Sequence, residues 1–280
     1  MRRLPILGLV FLASLASAAC DIQTSANGQF DIDFAAGKAS DTWSRTYTVE
    51  QGGRFELINV NGRITAEPTD GKEIVVEGRR SAKARSDEAA KEMLAKLEIR
   101  EEVGGKTVRV ESRPPRMSGF GGHEIEWTVK VPKGIVVDFR TVNGGVRMTG
   151  LSGEIHAKTT NGGVRGTKLV IDSLEASVVN GGIEIELDAP LDSTDTVEVT
   201  TVNGGVQFAM PSESKASITA RAVNGGVRAA EELKIQREEG ESERESRRRL
   251  TGTMNGGGAR VNISTTNGGV RLSQLGSTTS

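Results

Sequence analysis

Three aspartates crowd one short stretch of the chain, Asp188, Asp192 and Asp195 in the run Leu187-Asp-Ala-Pro-Leu-Asp-Ser-Thr-Asp. Two carboxylates held a few ångströms apart can cleave a glycosidic bond, one as acid and one as base or nucleophile. A polysaccharide-acting enzyme built on this loop is therefore one reading. The same run is rich in Pro, Asp and Ser, which are ordinary turn residues, and spacing along the chain does not set the distance between carboxylates. Ser152 and Ser193 stand in no recognisable arrangement with a His and an acid. The two histidines, His123 and His156, have no HExxH or CxxC around them, so they read as surface imidazoles and not as metal ligands. No catalytic residue, metal ligand or cofactor site emerges, and the expectation is a protein that is not an enzyme.

Cys20 is the only cysteine, which excludes an internal disulfide. It follows an export signal: Arg2 and Arg3, an apolar stretch from Leu4 to Leu15, then Ala16-Ser17-Ala18. Its place after Ser17-Ala18-Ala19 resembles a bacterial lipoprotein box, although Ser17 stands where such a box usually has Leu. Cleavage after Ala18 and lipidation of Cys20 are two open readings. The first gives a soluble exported chain and the second a chain held at a membrane by a lipid anchor alone. Lys and Arg total 36 against 37 Asp and Glu, a net charge of −1, which supplies no general attraction for nucleic acid.

The sequence around these residues is organised by one repeat. Asn-Gly-Gly followed by Val or Ile occurs at Asn143, Asn161, Asn180, Asn203, Asn224 and Asn267, at intervals of 18, 19, 23, 21 and 43. An earlier copy runs from Phe55 through Asn61-Gly62-Arg63 to Ile64. On both sides of each Asn the apolar residues alternate, as in Val137-x-Phe139 before Asn143 and Val146-x-Met148 after it. A period of two means strands, and Asn-Gly accepts backbone conformations closed to most residues. The repeat reads as strand, corner, strand.

Two arrangements fit: a meander of hairpins, or a parallel solenoid in which equivalent corners stack. The solenoid is expected, because a unit of about twelve residues buries its apolar face only against its neighbours. Its winding is expected to be right-handed. Stacking would align Asn on Asn and place the second Gly of each pair where backbones approach too closely for a Cβ. That accounts for glycine at 35 of 280 residues, against about 7% in an average protein. The outward position after each corner holds Arg147, Arg165, Glu184, Gln207, Arg228 and Arg271. The four arginines form a candidate ligand stripe for an anionic glycan or lipid headgroup.

Two segments interrupt the repeat. Within residues 78–131 the pattern predicts a helix from Ser86 to about Arg100, with Ser86 as N-cap and Ala90, Met93, Leu94 and Leu97 on one face, followed by strands. This insertion is expected to cover the early coils, unless its Met93 and Leu97 face is free to hold another envelope protein. Residues 231–250 read as a charged loop that includes Arg247-Arg248-Arg249. The resulting division is a signal peptide 1–19, a flexible linker 20–42, an all-β solenoid domain 43–275 and a tail 276–280.

Several blocks together, Phe55 to Ile64, Val131-Pro132-Lys133-Gly134-Ile135 leading into Asn143, the Asn-Gly-Gly run, and Leu250-Thr251-Gly252 through Asn267-Gly268-Gly269-Val270, resemble the bacterial putative-adhesin domain family. That β-helical envelope domain of unknown function is akin to the auto-transporter adhesin head family. The resemblance spans most of residues 43–273. It implies a periplasmic, outer-membrane or cell-surface location and a non-catalytic role as adhesin or scaffold, with an envelope polymer, glycan or protein as partner. It brings no catalytic residues with it and leaves oligomeric state open.

Overall fold

The fold, given by a computed structural model, is described for residues 22–24, 30–32, 37–114, 121–237 and 247–275. The expected signal peptide 1–19, Cys20 and the expected tail 276–280 lie outside the described residues. β1 (Ile22–Thr24) and β2 (Phe30–Ile32) form a small antiparallel pair. β3 (Gly37–Thr48), β4 (Arg54–Ile58), β5 (Ile64–Thr69), β6 (Glu73–Ala84), helix α1 (Asp87–Ala95), β7 (Glu98–Gly104), β8 (Thr107–Arg113) and β9 (Gly122–Pro132) come next. The repeats supply β10 (Val136–Asn143), β11 (Val146–Thr149), β12 (Ser152–Asn161), β13 (Val164–Asn180), β14 (Ile183–Leu187), β15 (Thr196–Asn203) and β16 (Val206–Met210). The chain finishes with β17 (Ala216–Asn224), β18 (Val227–Ala229), β19 (Gln236–Arg237), β20 (Arg249–Met254), β21 (Ala259–Asn267) and β22 (Val270–Gln274).

These strands form a curled, all-β sheet with two faces. The strand before each Asn pairs in parallel with its equivalent in the neighbouring repeat, Val137 with Ile155 and Ile155 with Leu174. The strand after each corner does the same on the other face, Val146 with Val164 and Val164 with Ile183. Each Asn-Gly-Gly therefore joins two sheets, and a hairpin at the corner is excluded. β13 serves both faces, bending at Lys168, which takes a left-handed φ of 54° where the register shifts between Gly166 and Leu169. Inward columns such as Val137, Ile155, Leu174 and Val197 are at most 2% exposed, and each such side chain contributes about 1.5–3 kcal/mol by leaving water.

The order of the stack departs from the order of the chain. β21 lies between β15 and β17, and β22 between β16 and β18. The corners therefore follow one another as Asn61, Asn143, Asn161, Asn180, Asn203, Asn267 and Asn224. The last repeat in sequence is an inner layer, not the final coil that simple winding predicts. β20 runs antiparallel along β17 and closes that end. Of the charged loop 231–250, residues 231–237 and 247–250 are described. The carbonyls of Arg247 and Arg248 accept from Val227 and Ala222 at 2.9 and 2.8 Å, so the backbone of the arginine triplet is part of this closure.

At the other end, β8 and β9 stack in parallel on β4 and β5 as one more layer, with Phe55 beside Val108 and Ile64 beside Trp127. β3 and β6 extend one face antiparallel, and β7 extends the other. Helix α1 is shorter than the periodicity suggests. It is capped by Ser86, whose Oγ accepts from the Ala89 amide at 3.3 Å, and it ends at Ala95 because Glu98–Gly104 pairs with β8 as a hairpin. Ala90, Met93, Leu94 and Leu97 are buried, so this face is packed and does not offer a surface to a partner. The expected linker 20–42 also needs correction, since β3 begins at Gly37 and pairs along its whole length with β6.

Candidate functional site

The corners are held by side chains that repeat with the sequence. Each Asn amide donates to the Asn one layer further on: Asn143 to Asn61 at 2.8 Å, Asn161 to Asn143 and Asn180 to Asn161 at 2.9 Å, and Asn203 to Asn180 at 2.8 Å. Asn267 donates to Asn203 at 2.7 Å and Asn224 to Asn267 at 2.9 Å. Two residues before the Asn, Thr141, Thr159, Thr201 and Thr265 are buried and donate their hydroxyls to the carbonyl of the first glycine in the adjacent corner, at 2.7 to 3.2 Å. A buried hydroxyl is thereby paired in every layer that has one.

It is the first glycine, not the second, that the stacking demands. A Cβ on Gly162 would lie 2.1 Å from the Gly144 carbonyl oxygen, and one on Gly181 would lie 2.0 Å from that of Gly162. Gly162 also has a φ of +146°, which L side chains rarely adopt. At the second position the same construction gives 3.0 Å for Gly145 and Gly163 and 3.3–3.4 Å for Gly182, Gly205, Gly226 and Gly269, without a left-handed φ. In the first copy this position is Arg63, which is exposed. The backbone thus carries a side chain in the first copy and leaves 3.4 Å for a Cβ at Gly182 and Gly226, while the fit is tight at Gly145 and Gly163; in all six layers no side chain is present.

The missing side chains leave a trench along the stack. It has a volume of about 540 Å³ beside Arg63, Arg147, Arg165, Glu184 and Gln207. It continues for about 430 Å³ beside Gln207, Arg228 and Arg271. Five layer spacings of ~4.8 Å make the glycine column roughly 24 Å long.

The stacking brings the four stripe arginines of the sequence together along one wall, in the order Arg147, Arg165, Glu184, Gln207, Arg271, Arg228. Arg165 is ion-paired with Glu184. Among the described residues, Arg63, Arg147, Arg228 and Arg271 have no acidic oxygen within 4 Å. All four are exposed. Positive charge is therefore uncompensated at the two ends of the trench and balanced in the middle. Arg63 is the member that the repeat pattern alone misses, because it replaces a glycine and does not lie in the outward column after the corner.

The other sequence candidates resolve differently. Asp195 accepts from the Asp192 amide at 2.8 Å, and Asp192 accepts from the amide and hydroxyl of Thr194 at 2.8 and 2.7 Å. The hydrogen bonds from Thr194 hold the Asp192 carboxyl below its usual range, while burial pushes that of Asp195 up. These carboxylates tie down a turn, as the composition of the loop suggested. The histidines are not simple surface imidazoles. His156 lies between carboxylates, its Nε2 2.8 Å from Glu154 and its Nδ1 2.9 Å from Glu175. His123 Nε2 lies 3.1 Å from the Asn61 amide nitrogen, at the end of the Asn ladder. Among the described residues no group of three or more His, Cys, Asp or Glu is placed to hold a metal ion, and no helix is long and apolar enough to cross a membrane.

No curated protein matches the chain. Among solved structures it is similar to a putative cell adhesion protein from Clostridium sporogenes, with 14% identity, 84% of this chain and 100% of that one covered, and a TM-score of 0.44. It is similar to a putative adhesin from Bacteroides fragilis, with 12% identity, coverage of 84% and 97%, and a TM-score of 0.33. A putative lipid binding protein from Parabacteroides distasonis gives 9% identity, coverage of 86% and 98%, and a TM-score of 0.36. The family model described as Toastrack DUF4097 matches residues 137–273. That match begins after the first copy of the repeat and the helical insertion, so it is narrower than the resemblance read across residues 43–273. Over residues 137–273, just under half of its length, the chain is similar to the Toastrack DUF4097 family.

Proposed function

We propose that this protein is an exported, non-enzymatic component of the bacterial envelope that binds an envelope polymer or glycan, as adhesin or scaffold, along the side of a right-handed parallel β-solenoid. In this reading the export signal is removed either after Ala18, which leaves a released chain, or after Ala19, which leaves a chain anchored through a lipidated Cys20. Residues 43–275 act as one binding domain, with Arg147, Arg165, Arg228 and Arg271 on its ligand-facing wall. The handedness follows from the general preference of parallel crossovers.

The observation that carries the proposal is the trench, free of side chains over six layers, including those of Gly182 and Gly226 where a Cβ would stand 3.4 Å from its nearest neighbour. A long surface of this kind suits an extended polymer better than a compact substrate. Of the aspartates that a hydrolase would use, Asp192 and Asp195 are occupied in holding their own turn. The names of the adhesion-related structural relatives agree with a surface role.

Two measurements test this reading together. Intact-mass analysis of the protein from its native cells is expected to show a chain that starts at Ala19, or at a lipid-modified Cys20. The purified mature chain is expected to sediment with isolated envelopes of the same cells. An unprocessed Met1 start in the cytoplasm, or a mature chain that stays in the supernatant, overturns it.

A further inference from the structure

We infer that the trench takes a single extended chain of an acidic polysaccharide, laid along the stack and gripped at both ends. Arg63 and Arg147 hold one end, and Arg271 and Arg228 hold the other. This inference rests on the polymer-binding reading above and deepens it.

The distribution of charge selects the ligand class. The four end arginines are exposed and carry no acidic partner among the described residues. A guanidinium presents a planar fork that matches a carboxylate in bidentate fashion. Arg147 and Arg271 are four layers apart, roughly 19 Å at ~4.8 Å per layer. Between them Arg165 is neutralised by Glu184, and Gln207 adds an uncharged amide. A ligand whose units carry phosphates alone has only negative charge to set against Glu184. A polysaccharide instead offers hydroxyls to the Glu184 carboxylate and Gln207 amide, and its acidic groups to the arginines at either end.

The shape selects a single chain. The floor is backbone, because Gly145, Gly163, Gly182, Gly205, Gly269 and Gly226 carry no side chain. Arg63 ends the trench where the glycine column stops. A flat membrane would meet the arginine tips and leave the floor untouched.

The test uses the purified mature chain, polygalacturonate oligomers of graded length, neutral dextran, and vesicles containing an anionic phospholipid. Polygalacturonate is expected to bind, more weakly as salt rises, with affinity climbing until the oligomer spans both arginine pairs. Dextran is expected not to bind. Arg147→Gln and Arg271→Gln should each weaken binding about three- to tenfold. Gly182→Leu leaves every arginine in place and meets its nearest neighbour at an ordinary 3.4 Å, so it should keep the fold and abolish binding by filling the floor. Unchanged binding by Gly182→Leu, or by a variant that combines Arg147→Gln with Arg271→Gln, overturns the inference, as does a preference for anionic vesicles. A wild-type chain that sediments with envelopes yet ignores polygalacturonate overturns this inference and leaves the envelope reading standing. A chain that binds polygalacturonate but not envelopes does the reverse.

Discussion

The side-chain amide nitrogen of Asn61 lies 3.1 Å from Nε2 of His123, which makes the imidazole the last acceptor of a ladder that starts at Asn224. Accepting requires an unprotonated Nε2. Burial pushes the His123 pKa below its ordinary 6.5, so the folded state favours the ring that the ladder needs.

The pH dependence follows from that direction. Below about 6.5 the unfolded chain takes up a proton that the folded chain resists until its own lower pKa is reached. The contribution of His123 to stability is thus fully present above about 6.5 and is lost as pH falls through the lowered folded value. A Gln at this position also accepts a hydrogen bond but does not titrate. The melting temperature of the wild type is expected to fall further than that of His123→Gln between about pH 7.5 and about pH 5. Parallel curves would show that His123 plays no such part.

The same methyl group should cost much more at the first glycine of a corner than at the open second position of Gly182. At Gly162 it would lie 2.1 Å from a backbone oxygen at a φ of +146°, and Gly162→Ala is expected to cost about 3 kcal/mol through clash and strain together. At Gly182 the nearest atom is 3.4 Å away, and Gly182→Ala should stay within about 1 kcal/mol of wild type. Urea unfolding of both variants measures the difference. Equal losses would mean that stacking, not ligand access, explains the second glycine.

How far the sequence could be read follows from which features repeat. The strand, the corner and the column of outward residues are visible because alternation around an Asn-Gly corner recurs seven times, six of them as Asn-Gly-Gly. Which glycine is obligatory was not visible, since both are present in every full copy and only the distance to the neighbouring carbonyl separates them. Arg63 was missed as part of the trench for the same reason: its meaning depends on the six glycines stacked beyond it. β3 was read in part as linker because only Ala39, Trp43 and Tyr47 interrupt a polar run, as suits an edge strand with little to bury. His123 lies 62 residues from Asn61, and no local pattern announces that pairing.

The Asn ladder should be weaker at its end than in its middle. Asn180 both donates to Asn161 and accepts from Asn203, whereas among the described residues Asn224 makes a single ladder bond, to Asn267. With about 0.5–1 kcal/mol for each exposed bond, Asn180→Ala is expected to cost about 1–2 kcal/mol and Asn224→Ala about half as much. Denaturant midpoints of the two variants, compared at equal slope, decide this. A larger loss at Asn224 would contradict the order of the stack.

The buried threonines lead to a paired prediction. Thr201 donates to the Gly181 carbonyl at 2.9 Å, and Thr201→Val should cost about 1 kcal/mol through the lost bond. Val178 occupies the matching place before Asn180 and pairs with Thr159 and Thr201 across the two adjoining layers. A hydroxyl introduced there meets the Gly162 carbonyl by the same geometry. Val178→Thr is therefore expected to lie within about 0.5 kcal/mol of wild type, where an unpaired buried hydroxyl would cost about 1–3 kcal/mol. Thermal unfolding of both variants checks the pair.

The interleaved last repeat can be tested by covalent chemistry. Thr200 Oγ1 lies 3.2 Å from Ser264 Oγ, and Ser264 in turn is paired with Arg221. Thr200 and Arg221 are thus two layers apart, roughly 9.6 Å, although they are close in sequence. A disulfide needs Cα atoms within about 7 Å. In a chain with Cys20→Ser, the pair Thr200→Cys with Ser264→Cys is expected to oxidise readily and to add about 2–4 kcal/mol by closing a long loop. The pair Thr200→Cys with Arg221→Cys should stay reduced in the folded protein. If the second pair closes and the first does not, β17 rests directly on β15, and the last repeat ends the stack as simple winding would have it.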